Sequence, residues 1–168
     1  SILCDVPCSS DAVMRKLPHK WKIWSPKDSF GLHRLQLLIL RRAISLVKEG
    51  GTIIYSTCSL NPIENEAVVS EVMRNFPNSL EILDVHNCFK DSNVRSRNGL
   101  TSWKVFIEDK DDQTKLIEIK NSSSENYNDY KASIDSSCFP DEESVLRNEF
   151  KTQNCVRIFP HDSDTSIN

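Results

Sequence analysis

Hydrophobic and polar positions along the chain fall into two rhythms. Ile2, Leu3 and Cys4 form a short apolar run that stops at Asp5. That is the pattern of a buried strand running into a loop, because Pro7 cannot donate to a central ladder. Residues 11–27 are a polar and aromatic connection carrying Pro18, Trp21, Trp24 and Pro26. From Asp28 to Lys48 the period changes to that of a helix, with Leu32, Leu35, Ile39, Ala43, Leu46 and Val47 on one face. Leu38, Leu40 and Ile44 widen the apolar surface, so much of this helix is expected to be buried, and Gly50 and Gly51 end it. A strand is predicted over Thr52–Thr57. A second helix follows at once, with Asn61 as N-cap, Pro62 in its first position and Glu64 closing a capping box. Val69, Val72, Met73 and Phe76 continue its inner face until Pro77 and Asn78 stop it.

The second half is less regular. Leu80–Val85 alternates like a strand, and Trp103–Ile107 and Leu116–Ile119 are shorter candidates. Residues 121–137 are rich in Ser, Asn and Asp and read as a flexible insertion. A short helix is expected over residues 141–151 and a last strand over Val156–Phe159. The strand–helix–strand order at the start predicts an α/β fold with a parallel sheet. In such sheets ligands bind beyond the carboxyl ends of the strands. The loops Asp5–Ser9 and Thr57–Ser59 lie at two such ends, so neighbouring strands would bring Cys8 and Cys58 to one crevice.

Composition narrows the class. The chain has 168 residues, 38% of them hydrophobic, enough for one domain with an ordinary core. The net charge of −3 does not describe a dedicated nucleic-acid-binding domain, so any basic surface must be local. No run approaches the about 20 apolar residues that span a bilayer, and no signal peptide is apparent, which suggests an intracellular protein without a membrane partner. The six cysteines include no Cys-x-x-Cys pair, so reduced thiols are expected and no metal site. Both ends read as cut: the start is apolar and lacks Met, and Ile167-Asn168 closes on no element.

Two thiols and a carboxylate in one crevice suit covalent catalysis, since a thiolate is a strong nucleophile when its surroundings favour ionisation. A buried cysteine is otherwise a small hydrophobe, and Cys4, Cys88, Cys138 and Cys155 are read as structural or incidental. The context of the other two is Asp5-Val6-Pro7-Cys8-Ser9, followed some fifty residues later by Tyr55-Ser56-Thr57-Cys58-Ser59-Leu60-Asn61-Pro62-Ile63-Glu64-Asn65-Glu66. Together, in this order, these motifs resemble the Sun-domain family of RNA cytosine-5 methyltransferases, most closely its eukaryotic tRNA-methylating branch. The likeness is dense over residues 1–86, recurs at 155–161 and is weak between. It implies the C-terminal part of a Rossmann-like, S-adenosylmethionine-dependent methyltransferase fold without the N-terminal cofactor-binding strands. The resemblance further implies Cys58 as nucleophile toward carbon 6 of cytosine, Cys8 as the thiol that assists product release, and Asp5 as a contact to the ring. Asp5 and Pro7 would border the S-adenosylmethionine pocket, whose main motifs are absent, so the isolated chain is expected to bind the cofactor weakly and to be inactive alone. RNA, above all tRNA, would be the partner, and the nucleus the compartment.

Arg15, Lys16, Lys20 and Lys22, interleaved with Trp21 and Trp24, are candidate RNA contacts; the alternative is a solvated loop anchored by its tryptophans. The resembling family commonly has Ser-Gly-Asp-Gly after the first cysteine, where this chain has Ser9-Ser10-Asp11-Ala12. Two residues that resist positive φ thus replace two glycines that permit it, so altered loop geometry is expected. A non-catalytic RNA-binding relic is therefore the alternative to an enzyme. A thiol-dependent hydrolase or redox protein is a third reading; it would need a histidine at Cys58, for which His33 and His161 are the only candidates, or two thiols at disulfide distance.

Overall fold

The computed structural model describes residues 1–112, 114–140, 150–160 and 162. Its centre is a parallel pair, β1 (Ile2–Asp5) and β2 (Ile53–Ser56), in register from Ile2 opposite Ile53 to Asp5 opposite Ser56. The crossover between them contains the short helix α1 (Lys20–Ile23) and the long helix α2 (Pro26–Leu46). Gly50 closes the return to β2 in the left-handed region, with φ 71°. This is the βαβ arrangement expected of an α/β fold. It puts Asp5 and Ser56 side by side at the carboxyl ends, where the Ser56 hydroxyl donates to Asp5 Oδ1 at 3.2 Å.

Helix α2 begins two residues before the expected Asp28. Ser25 is its N-cap, Pro26 its first residue, and Asp28 the third-position partner of a reciprocal capping box. Its buried face also differs. Leu35, Leu38 and Leu46 are exposed, while Ser29, Phe30, His33, Gln36, Leu37, Leu40 and Ala43 are buried. Apolar counting misjudged the face because the inner stripe carries three polar residues with specific partners.

The second predicted helix is divided. Pro62–Glu64 is a single 3-10 turn, Asn65 breaks it at φ −119° and ψ −94°, and α3 (Glu66–Asn75) follows. Asn61 does cap the turn, accepting from the Ile63 amide at 3.0 Å. Glu64 closes no capping box; its side chain turns inward. Leu80–Val85 forms no strand, since a ladder needs a partner edge; the Ile82 carbonyl accepts instead from Asn154 Nδ2 at 3.2 Å.

Two antiparallel pairs complete the described strands. β4 (Val105–Glu108) pairs with β5 (Leu116–Ile119), and β3 (Ser96–Asn98) pairs with β6 (Val156–Ile158). Residues 121–137, read above as a flexible insertion, hold only 3-10 and irregular turns, yet they pack. Tyr130 and Ile134 join Phe30, Ile63, Val105, Ile107, Ile119, Cys138 and Phe139 in one core cluster. A polar composition concealed two large anchors spaced four apart. A second cluster joins Leu37 and Leu40 of α2 to Val68 and Val72 of α3, and a third holds Cys4, Val6 and Ala43 beneath the parallel pair. The helix expected over 141–151 lies, save its last two residues, outside the described residues.

Ile134 is wholly buried. Ile134→Ala is accordingly expected to cost about 2–5 kcal/mol in urea unfolding; a loss under about 0.5 kcal/mol would mean that the segment does not contribute to the core.

Candidate active site

The two cysteine loops leave neighbouring strand ends and meet. Cys8 Sγ and Cys58 Sγ are 3.1 Å apart, both cysteines are free, and the Cys58 amide donates to Cys8 Sγ at 3.3 Å. Cys58 is exposed and Cys8 half-buried. Asp5 is exposed at the end of β1, three residues before Cys8, and Pro7 is exposed between them. Adjacent strand ends therefore bring the two motif loops together, with Asp5 and Cys58 exposed and Cys8 half-buried between them.

What holds the loops together lies below. Glu64 is fully buried, and its carboxylate accepts five hydrogen bonds. Two come from the Cys8 loop: the Ser9 amide at 2.8 Å and the Ser9 hydroxyl at 2.5 Å. One comes from the Cys58 loop, the Ser59 hydroxyl at 2.9 Å. Helix α2 supplies the other two, the Ser29 hydroxyl at 3.0 Å and Gln36 Nε2 at 3.1 Å. An ionised carboxylate only accepts, and each of these five groups can donate to it. Gln36 Nε2 also donates to the Pro7 carbonyl at 2.9 Å. Two further bonds join the loops directly, Ala12 N to Cys58 O at 3.2 Å and Leu60 N to Asp11 Oδ1 at 2.8 Å.

Glu66, two residues on, anchors the far side. It is buried against Arg157 of β6, whose Nε donates to Glu66 Oε1 at 2.6 Å and whose second guanidinium nitrogen reaches Oε2. Arg157 also donates to the Leu60 carbonyl at 2.7 Å, so the last strand braces the Cys58 loop.

Sequence reading missed these supports, apart from Glu64, whose role it mistook. Their one signal was the acidic pair Glu64 and Glu66 set in an apolar stretch, beside polar residues on the inner face of α2.

Ser10 takes the left-handed conformation, with φ 62° and ψ 31°, whereas Ala12 is not among the residues of positive φ. The loop thus keeps the turn that a glycine would adopt freely, at a cost of about 1–2 kcal/mol. Of the two replacements, only Ser10 bears strain.

Cys8 is pushed up to about 11, mainly by burial and then by its side-chain contact with Cys58. It therefore stays a protonated thiol at neutral pH. Burial likewise raises Cys4, and pushes Cys138 and Cys155 to about 12. His33 does not serve Cys58: its Nδ1 is 2.6 Å from the Ile63 carbonyl and its Nε2 is 2.7 Å from Ser137 Oγ, and burial lowers its pKa. His161 lies outside the described residues. No group of three or more His, Cys, Asp or Glu able to hold a metal occurs among the described residues. No helix among them is long and apolar enough to cross a membrane.

The basic segment follows the Cys8 loop directly. Lys16 and Lys22 are exposed and Lys20 half-buried, while Arg15 donates to the Pro160 carbonyl at 3.1 Å. Trp21 is 72% exposed, so it does not anchor the segment to the core. Trp24 is the half-buried one, and its indole N–H is buried.

A family model described as 16S rRNA methyltransferase RsmB/F matches residues 1–112. The chain belongs to this methyltransferase family. It is 39% identical, over 98% of its length, to the multisite-specific tRNA:(cytosine-C(5))-methyltransferase of Saccharomyces cerevisiae, covering 22% of that protein. It is 40% identical to the multisite-specific tRNA:(cytosine-C(5))-methyltransferase trm4b of Schizosaccharomyces pombe, again over 98% of the chain and 22% of the relative. Against the tRNA (cytosine(34)-C(5))-methyltransferase of Drosophila melanogaster the identity is 34%, over 98% of the chain and 21% of the relative. The chain thus spans about a fifth of the length of these relatives. Membership fits the βαβ core, which is part of a methyltransferase domain of this class.

Two outcomes follow from this geometry. In peptide-resolved alkylation at pH 8, Cys58 and Cys88 are expected to react first, the half-buried Cys8 and Cys155 later, and Cys4 and Cys138 only on unfolding; equal rates at Cys8 and Cys58 would contradict the high pKa of Cys8. Glu64→Ala, which strands buried donors, should lower stability by about 3 kcal/mol in urea unfolding. Arg34→Ala, at an exposed pair with Asp135, is the control and should cost under about 1 kcal/mol.

Proposed function

We propose that the protein of which this chain is part methylates carbon 5 of cytosine in RNA, with tRNA as the favoured substrate, through a covalent bond to Cys58. The observation that carries this reading is the contact between the two motif thiols at 3.1 Å, one exposed and one held protonated. Carbon 5 of cytosine is a poor nucleophile. Addition of the Cys58 thiolate to carbon 6 breaks the ring's conjugation and leaves carbon 5 electron-rich, dividing one hard step into two easier ones. Charge builds on the ring as this bond forms, and Asp5, exposed at the end of β1, is assigned to hydrogen-bond the ring and stabilise it. After methylation the carbon 5 proton must leave and the bond to Cys58 must break. Cys8, next to Cys58, is assigned to assist that release.

The methyl donor implied is S-adenosylmethionine. Asp5 and Pro7, both exposed, are assigned to the border of its site.

Target bases must leave any stack to reach an exposed thiol. The segment carrying Arg15, Lys16, Lys20 and Lys22 is assigned to the RNA backbone, with the exposed Trp21 as a stacking platform. The tRNA preference is supported by the names of the yeast and fly relatives, and a nuclear location by the resemblance to that branch.

The test is covalent trapping in the full-length protein with RNA containing 5-azacytosine and S-adenosylmethionine. A mass-shifted band is expected with the unaltered protein and with Cys8→Ala, and none with Cys58→Ala. A band that survives Cys58→Ala would overturn the assignment of the nucleophile; no band with any form would overturn the adduct mechanism.

A further inference from the structure

Ser10 contributes more than a turn. Its left-handed backbone would be free of strain in glycine. The side chain that imposes the strain points at the reacting groups. Ser10 Oγ is 3.3 Å from Cys58 Sγ and 3.9 Å from Cys8 Sγ, and it donates to the Cys8 carbonyl at 3.3 Å. The residue is held on both sides: Ser9 is bonded to Glu64, Ala12 N donates to Cys58 O, and Val13 N donates to Ser10 O at 3.2 Å. The hydroxyl therefore has little freedom to leave Cys58.

We infer that Ser10 is a positioning residue for the Cys58 nucleophile, its hydroxyl accepting from the thiol and donating to the thiolate. With the thiol protonated, the Cys58 S–H donates to Ser10 Oγ, whose own proton goes to the Cys8 carbonyl. On ionisation the thiol proton passes to solvent, to which Cys58 is open. The Ser10 hydroxyl then rotates and donates to the sulfur, since a hydroxyl can both accept and donate. A hydrogen bond to the charged form favours that form. The titratable and charged groups packed around Cys58 are the touching Cys8 thiol, Asp5 and Asp11 on either side of Cys8, and Glu64, Glu66 and Arg157 beneath the loops. Of these, the Cys8 thiol alone also meets the Ser10 hydroxyl, at 3.9 Å; the bonds of the others are made elsewhere. The inference rests on the proposed function only for the role of Cys58 as nucleophile.

The test compares Ser10→Ala, which keeps the backbone strain and loses the hydroxyl, with Ser10→Gly, which loses both. The readout, in the full-length protein, is the pH profile of Cys58 alkylation by iodoacetamide, resolved by peptide mass spectrometry. Both variants are expected to shift the midpoint up by about 0.7 pH unit and to slow alkylation below it roughly two- to threefold. Ser10→Gly should unfold at higher temperature than Ser10→Ala, showing that stability and thiol reactivity separate. A profile unchanged in both variants, or changed in only one, would overturn the inference, because a purely conformational role separates Ala from Gly. RNA takes no part in this readout, so its failure is distinct from failure of covalent trapping, which judges the function itself.

Discussion

The carboxylate of Glu64 is the point at which the sheet ends, the long helix and both cysteine loops are tied together. A buried carboxylate is costly unless its acceptor capacity is filled. Here five donors from three separate segments fill it. The constraint acts in both directions. The charge cannot be desolvated without the donors, and the donors cannot be satisfied without bringing the loops to one place. The separation of the two thiols is thus a consequence of a polar cluster beneath them, and neither thiol takes part in that cluster. Glu66 and Arg157 extend the same logic outward, trading a second buried charge for a brace from the last strand.

The βαβ core was legible because period and punctuation agree in it. A three-residue apolar run, a helical stretch ended by Gly50, and a second strand leave little choice of order, and parallel pairing follows from that order. Legibility failed where polar residues do structural work. Ser29, His33 and Gln36 hid the inner face of α2, and Glu64 at a capping-box position was read as local when its partners are distant in sequence. Leu80–Val85 alternates convincingly but lacks a neighbouring edge, a condition that no short window of sequence contains.

For the site, spacing and motif context singled out Asp5, Cys8 and Cys58, and strand adjacency brings their loops together. The chemistry around them was less visible. That Cys8 is held protonated depends on burial and contact, and the left-handed turn at Ser10 depends on bonds made by its neighbours. Replacement of a glycine by serine suggested a distorted loop. The loop instead accepts the strain and gains a hydroxyl beside both sulfurs, an outcome that only three-dimensional packing decides.

The core cluster around Phe30 has a consequence for how this chain can be divided. The family model reaches residue 112, yet Ile119, Tyr130, Ile134, Cys138 and Phe139 complete the apolar layer against Phe30 and Ile63. Ile63 lies in the turn that carries Glu64. A fragment trimmed at the boundary of the recognisable motifs would keep every residue assigned to chemistry and lose the wall behind them. The least motif-like stretch of the chain is therefore not a tail on the domain but part of its foundation, and a boundary drawn from motif similarity alone would cut through it.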